Sequence, residues 1–241
     1  MAAECHRRGA NAVTHLYVFC EGATERQFCV QVLQPHLFMP GTGMVHTLAV
    51  GEKDHHHIYG LGKRARYDRV RRFITNTIKQ RENENVYFAT MFDLYALAAD
   101  FPGTADLTRN PANPTPYVES LEQALESDID HRFFFPHILL HEFETLLFSQ
   151  PEAFAIAFEN CDAIIDRLKQ IAASESSVEH IDDGQHSAPS KRIISVLPQY
   201  EGRKSTAGPD IAEYIGLDKI RQKCPHFDKW LQQVESAIRT T

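Results

Sequence analysis

Three apolar runs, each followed within two residues by an acid, constrain the fold of this chain more than any other feature. Nearly continuous apolar runs predict strands that are covered on both faces, as the strands of a parallel sheet are. Helical spacing of apolar residues at 24–33, 64–78 and 117–125 predicts helices between these strands. The sequence therefore predicts an α/β fold, a three-layer Rossmann-like core with a central, mostly parallel sheet. The runs are residues 15–20, 86–92 and 133–140, and the acids that follow them are Glu21, Asp93, Glu142 and Glu144.

The pattern changes after residue 150, where helical spacing replaces the alternation of strands and helices. We predict an α/β core over residues 1–150 and a helical C-terminal extension over 151–241, packed together as one compact unit. A chain of 241 residues that is 43% apolar can bury a sizeable core, which excludes a disordered chain.

Composition also limits the compartment in which the protein is expected. The five cysteines are odd in number and form no C-x-x-C pair, which argues against a disulfide framework and a thiolate zinc site. No window approaches ~18 consecutive apolar residues, so we expect no membrane insertion or export. A cytoplasmic protein is expected.

The acids at the strand ends predict a metal site. In open α/β sheets, functional groups gather beyond the carboxyl ends of the strands, which is where Glu21, Asp93 and either Glu142 or Glu144 would lie. Carboxylate oxygens without a matching His or Cys cluster favour Mg²⁺ or Mn²⁺, the ions used in metal-assisted phosphodiester chemistry. A single such acid can instead cap a helix or pair with an arginine, and the choice between Glu142 and Glu144 stays open.

Residues next to these acids have both structural and functional interpretations. Gly22 is expected to form a structural turn where a β-carbon would obstruct close backbone approach. Glu25 suits the dipole of the following helix, or it is a further metal ligand. His141 is either a general acid or base beside Glu142, or a histidine satisfied at the rim of the core.

A basic stripe on the predicted helix that begins near residue 64 has two interpretations. It is either a solvated helix face or a surface that contacts nucleic-acid phosphates, despite the formal net charge of −7. The residues concerned are Lys63, Arg64, Arg66, Arg69, Arg71 and Arg72.

Five segments of the chain resemble those of a known family. EGATE, FDLYALAADFPG, HEFETLLFSQPEAF, APSKRI and IGLDKIRQKCPHFDKWL, between Leu16 and Leu231, are similar to a bacterial family of stand-alone Toprim-like proteins. The Toprim superfamily includes topoisomerases, bacterial primases and OLD-type nucleases, and its second motif is D-x-D. Here Asp93 is kept and Tyr95 stands where the second aspartate would be.

The resemblance implies a Toprim-like fold and a Mg²⁺- or Mn²⁺-dependent nuclease acting on DNA or RNA. It also implies bacterial anti-phage defence beside an ABC-type or AAA-type ATPase, and it leaves a homodimer open. An OLD-like site adds a lysine to its acids; Lys191 is the candidate and Lys204 a weaker one, although Lys191 could merely anchor a helix start. The alternative function is a catalytically weak or inactive regulatory subunit of an ATPase, which Tyr95 favours.

Overall fold

A computed structural model describes residues 13–50, 53–54, 57–58, 66–81, 85–105, 107–108, 110, 113–181 and 187–240. Its main sheet is parallel throughout and has the order β2-β1-β3-β4, with β5 pairing further along β3. This arrangement confirms the predicted α/β fold with a parallel sheet. The strands are β1 (Thr14–Cys20), β2 (Gly43–Ala49), β3 (Val86–Asp93), β4 (Phe134–Phe135) and β5 (Ile138–Leu139).

Helices connect these strands and make up most of the chain after β5. Helix α1 is α-helical over Ala23–Phe28, π-helical over Cys29–Leu33 and α-helical again over Gln34–Leu37. The other α-helices are α2 (Tyr67–Gln80), α3 (Thr115–Ile129), α4 (Asp162–Ala173), α5 (Pro189–Val196), α6 (Lys204–Ile215), α7 (Leu217–Lys223) and α8 (Pro225–Arg239). Short 3₁₀ segments are Leu94–Ala96, Phe143–Ser149, Pro151–Ile156, Val178–His180 and Pro198–Arg203, and a separate pair of antiparallel two-residue strands is Lys53–Asp54 and His57–Ile58.

The two faces of the sheet bury different layers of helices. Successive side chains of a strand point to opposite faces, so Leu16 and Val18 of β1 pack with α1 and the C-terminal helices. Tyr17 and Phe19 pack on the other face with α2 and α3. The result is a three-layer core in which the residues after 150 cover one face of the sheet.

Helix α2 buries the apolar face that the sequence predicts. Tyr67, Val70, Ile74 and Ile78 are its buried residues, at the three- and four-residue spacing of an amphipathic helix. Its polar side therefore faces solvent, as expected for the basic stripe.

Prolines explain where the elements differ from the sequence prediction. The first helix extends beyond the predicted residues 24–33 and through Pro35, because the π-helical turn before it lets a new helical turn start with Pro35 among its first residues. The third apolar run is not one strand but two short ones, since Pro136 between β4 and β5 has no N–H to donate to a ladder. The predicted helical extension does not begin as an α-helix, since Pro151 starts a 3₁₀ segment and α4 begins only at Asp162.

Among the described residues, none of the helices has the length and apolar character needed to cross a membrane.

Candidate functional site

The topology brings the strand-end acids to one edge of the sheet. In the pairing of β1 with β3, Cys20 lies opposite Met91, so Glu21 follows the end of β1 beside the last residues of β3. Asp93 is the last residue of β3, and β5 pairs Leu139 with it. Because all three strands are parallel, their carboxyl ends converge there.

Five carboxylates form one electrostatic group at this edge, here called the carboxylate cluster: Glu21, Glu25, Asp93, Glu142 and Glu144. All except Glu21 are only 5–6% exposed. Burial, then the charges of Glu25 and Glu21, raise the pKa of Asp93 well above its usual range. Burial and the charge of Glu25 raise the pKa of Glu21 to about 8, and burial together with Glu142 raises that of Glu144 to about 7. Such mutual shifts require that the acids lie close together.

Two buried oxygens in the carboxylate cluster have no hydrogen-bond partner among the described residues. They are Glu21 Oε2 and Asp93 Oδ1. A buried carboxylate oxygen left without a partner is costly, and proteins normally satisfy it with a donor or a cation. The donor set contains only oxygen atoms at this point, which is the chemistry that a hard divalent cation prefers.

The other acids of the cluster are held by donors from the surrounding chain. The Gly22 N–H donates to Glu25 Oε2 at 2.9 Å, and a β-carbon at Gly22 would lie only 3.3 Å from that oxygen. The Ser190 N–H, in the first turn of α5, donates to Glu142 Oε2 at 2.7 Å. These contacts fix the orientation of two carboxylates before any ligand binds.

Glu142 and Glu144 both belong to the cluster although the chain turns between them. Glu142 precedes the 3₁₀ segment in an extended conformation, and Glu144 lies in its first turn. Tyr200 O–H donates to Glu144 Oε1 at 3.4 Å, and Lys204 Nζ lies 3.6 Å from the same atom. The two acids therefore lie in the same cluster but have different neighbours.

The two candidate lysines lie in different surroundings. Lys204, at the start of α6, lowers the pKa values of Glu25 and Glu144 against the larger effect of their burial. Lys191 is exposed in the first turn of α5, next to Ser190. Lys204, the weaker candidate from the sequence, is therefore the lysine that lies beside the acids.

His141 and Tyr95, which flank the acids in sequence, differ in their exposure to solvent. His141 is 1% exposed, and its charge lowers the pKa of His180 after the larger effect of burial. Tyr95 is 53% exposed, and partial burial followed by the charges of Asp93, Glu21 and the two other strand-end acids raises its pKa. The phenol of Tyr95 is therefore a neutral O–H donor beside the cluster.

The basic stripe begins at the same edge of the sheet, because α2 runs from the carboxyl end of β2 back to the start of β3. Lys63 and Arg64 lie outside the described residues. Arg66, Arg69, Arg71 and Arg72 are exposed; Arg71 pairs with Asp128 at 2.7 Å, and Arg66 and Arg72 pair with Asp68 at 3.4 and 3.0 Å.

A second group of metal-ligating side chains, the imidazole cluster of Glu122, His137 and His226, was not predicted. One ligand atom from each lies within 4.8 Å of the others, a spacing suited to one cation. The two imidazoles lower the pKa of Glu122 to about 2 against the effect of its burial, and burial lowers that of His137. The three residues come from distant segments of the chain with no motif spacing, so the group becomes visible only in the folded structure.

Comparisons with known proteins place the chain in a family. None of the curated proteins compared with it is similar enough to count as a match. Among solved structures, the C-terminal region of the Burkholderia pseudomallei OLD protein is similar at 15% identity, covering 92% of this chain and 98% of that chain with a TM-score of 0.42. At this level the likeness assigns no residue and no activity. Residues 20–235 match the family described as a domain of unknown function, DUF4276, and the chain therefore belongs to the DUF4276 family.

Proposed function

We propose that this protein is a Mg²⁺- or Mn²⁺-dependent phosphoesterase that cleaves nucleic acid. The observation that carries the proposal is the pair of buried, unpartnered oxygens on Glu21 and Asp93 within the carboxylate cluster. Carboxylates gathered at this density repel one another, and a bound divalent cation would relieve that repulsion. Such a cation polarises a phosphoryl oxygen and lowers the pKa of a bound water.

The side chains have separate roles in this proposal. Glu21, Asp93 and Glu142 hold the cation, and Glu144 and Glu25 extend the ligand set. If Glu21 does not bind the cation directly, its carboxylate would instead accept a proton from the attacking water. His141, buried at 1% exposure directly before Glu142, has a structural role in this proposal and does not meet substrate.

A cationic side chain is needed to balance phosphate charge, and we assign this role to Lys204. Its ammonium group already lies 3.6 Å from Glu144 Oε1, so it can exchange that partner for a phosphate oxygen. Lys191, from the exposed first turn of α5, is a second contact for the nucleic-acid backbone. The phenolic O–H of Tyr95 supplies a neutral donor at the open side of the cluster.

The substrate surface and protein partners extend the proposal beyond the site. The exposed arginines at the start of α2 can contact DNA or RNA phosphates, since ion pairs at the surface are weak and exchangeable. A role in bacterial anti-phage defence with an ABC-type or AAA-type ATPase, and assembly as a homodimer, belong to the same proposal.

A regulatory subunit is the second candidate function. Tyr95 favours it, because a phenol in place of a carboxylate leaves fewer ligands for a second cation. In this version the carboxylate cluster binds one ion and stabilises the fold, while an ATPase partner is regulated by docking.

Replacing Glu21 with glutamine tests the choice between these functions. The change keeps the size of the side chain but removes the charge that either role of Glu21 requires. We expect cleavage of DNA or RNA in Mg²⁺ or Mn²⁺ to fall at least about 100-fold, as loss of about 3 kcal/mol of transition-state stabilisation would cause. The measurement is the initial rate on labelled single- and double-stranded substrates.

Two matched controls sharpen this assay. Glu213→Gln changes an exposed glutamate on α6 and should leave the rate unchanged. Lys204→Met should reduce the rate more than Lys191→Met if Lys204 balances the phosphate charge. A rate for Glu21→Gln equal to that of the unsubstituted protein rules out the nuclease assignment, whereas metal binding without any cleavage supports the regulatory subunit.

A further inference from the structure

The imidazole cluster has the spacing of a metal site that is separate from the carboxylate cluster. Zinc bonds of about 2.0–2.2 Å at tetrahedral angles place ligand atoms about 3.3–3.6 Å apart. His137 Nδ1 lies 3.4 Å from Glu122 Oε1, and His226 Nε2 lies 3.0 Å from the same oxygen. Only small movements would let one ion bind all three residues.

Hydrogen bonding within the imidazole cluster accounts for Glu122 and His226 but does not explain why His137 is buried beside them. Glu122 Oε1 accepts the Ile138 N–H at 2.8 Å and meets His226 Nε2 at 3.0 Å, so those two groups satisfy each other without a metal. His137 is fully buried, and among the described residues neither of its ring nitrogens makes a hydrogen bond of good geometry; the contact of Nδ1 with Glu122 Oε1 is long, at 3.4 Å. Its Nδ1 nevertheless faces Glu122, where a cation would supply the missing partner.

The surrounding structure holds the two imidazole rings in place. The ring of His137 stacks on Trp230 with centroids 4.8 Å apart, and its backbone N–H donates to Thr90 Oγ1 at 2.8 Å. The His226 N–H donates to Glu179 Oε2 at 3.0 Å, which fixes the start of α8. Metal sites in proteins depend on such contacts to orient their ligands.

A cleft gives the imidazole cluster access to solvent. It has a volume of about 170 Å³ and is lined by Glu122 and His226 together with Glu119 and Glu126. Lys229 also lines the cleft and pairs with Glu119 at 2.7 Å, but Glu122 and Glu126 leave the lining acidic, which favours entry of a cation. The cleft leaves room for a water as fourth ligand. The site thus has three protein ligands, fixed orientation and an approach from outside.

We propose that Glu122, His137 and His226 bind one Zn²⁺ or a similar borderline divalent transition-metal ion. Two imidazole nitrogens and one carboxylate oxygen suit such ions better than Mg²⁺, which prefers oxygen alone. The bound ion joins α3, the turn before β5 and the start of α8. Since Phe92 N–H donates to the carbonyl of His137 at 3.2 Å, this link also supports the strand that ends at Asp93.

Cobalt titration of the metal-free 241-residue protein tests the site, because tetrahedral Co²⁺ with nitrogen ligands has a strong visible absorption. We expect the strong absorption to saturate at one tetrahedral Co²⁺ per chain and to be lost on addition of Zn²⁺, with an affinity for this ion that falls at least about 100-fold in His226→Gln. Loss of an outer contact to a metal ligand already costs about 10–100-fold, and loss of a ligand should cost no less.

Two further variants separate this site from other acids. Glu126→Gln removes a charge from the same cleft, and Asp93→Asn disables the carboxylate cluster; both should retain the cobalt absorption. Equal affinity in His226→Gln and the unsubstituted protein overturns the proposal, as does loss of the absorption in Asp93→Asn alone.

X-ray absorption of the Zn²⁺-loaded, unsubstituted protein gives an answer that does not depend on a variant folding. The proposal requires scattering from two imidazole rings around the ion. A shell of oxygen atoms without imidazole scattering, or no retained zinc after desalting, would contradict it.

Discussion

Asp93→Asn is expected to lower metal-dependent phosphodiester cleavage at least about 100-fold while the metal-free protein stays folded. Asp93 is the acid at the centre of the carboxylate cluster, and four other carboxylates raise its pKa in addition to the effect of burial. The amide keeps the size of the side chain but cannot provide the anionic oxygen that a cation requires. A loss of about 3 kcal/mol of charge stabilisation corresponds to a rate decrease of this size.

The stability of Asp93→Asn distinguishes a metal ligand from a structural aspartate. Neutralising one partner of a buried ion pair typically costs about 3–5 kcal/mol. Asp93 instead lies among like charges and its pKa is raised, so a neutral amide should leave the metal-free free energy of unfolding unchanged or increase it at neutral pH. Denaturant unfolding in a chelator measures this value, with Asp218→Asn on the exposed side of α7 as the matched control. Strong destabilisation in the chelator would contradict the assignment.

Without divalent cations, the protein should lose stability as the pH rises from about 4.5 to about 8. The pKa values of Glu144 and Glu21 in the folded protein, about 7 and about 8, exceed the ordinary value of 4.5. The folded state therefore binds more protons than the unfolded state across this window, and stability falls with increasing pH. At about 1.4 kcal/mol per pH unit, Glu144 alone accounts for roughly 3 kcal/mol, and Glu21, which is partly exposed, for less.

Added Mg²⁺ or Mn²⁺ should reverse this pH dependence, because the cation binds the ionised carboxylates. The measurement is the free energy of unfolding at several pH values with chelator and with excess cation. Glu144→Gln should flatten the slope in chelator, whereas Glu213→Gln should not. Stability that is independent of pH in chelator, or a cation effect equal at pH 5 and pH 8, would contradict the proposed electrostatics of the cluster.

The parts of the fold that follow from local patterns were predictable. The apolar runs of β1 and β3 and the spacing on α2 report burial directly, so the parallel sheet and its flanking helices follow from the sequence. The break between β4 and β5 was not predicted, although Pro136 is visible in the sequence. A proline weakens a ladder, but the pairing partners of the residues around it depend on tertiary contacts.

The residues of the candidate site were also predictable only in part. Acids at strand ends could be grouped because parallel strands end at one edge, but whether Lys191 or Lys204 reaches them depends on how the C-terminal helices pack. Glu122, His137 and His226 share no motif, since each comes from a different segment and the fold alone brings them together. Short-range patterns do not contain such long-range contacts.

If the carboxylate cluster binds a divalent metal, anomalous X-ray scattering from crystals grown in Mn²⁺ will locate the ion. We expect a manganese peak coordinated by oxygen atoms of Glu21, Asp93 and at least one of Glu142 and Glu144. The peak should vanish in Asp93→Asn crystals. A map with no peak among these acids, or with manganese only at the imidazole cluster, would contradict metal binding by the carboxylate cluster.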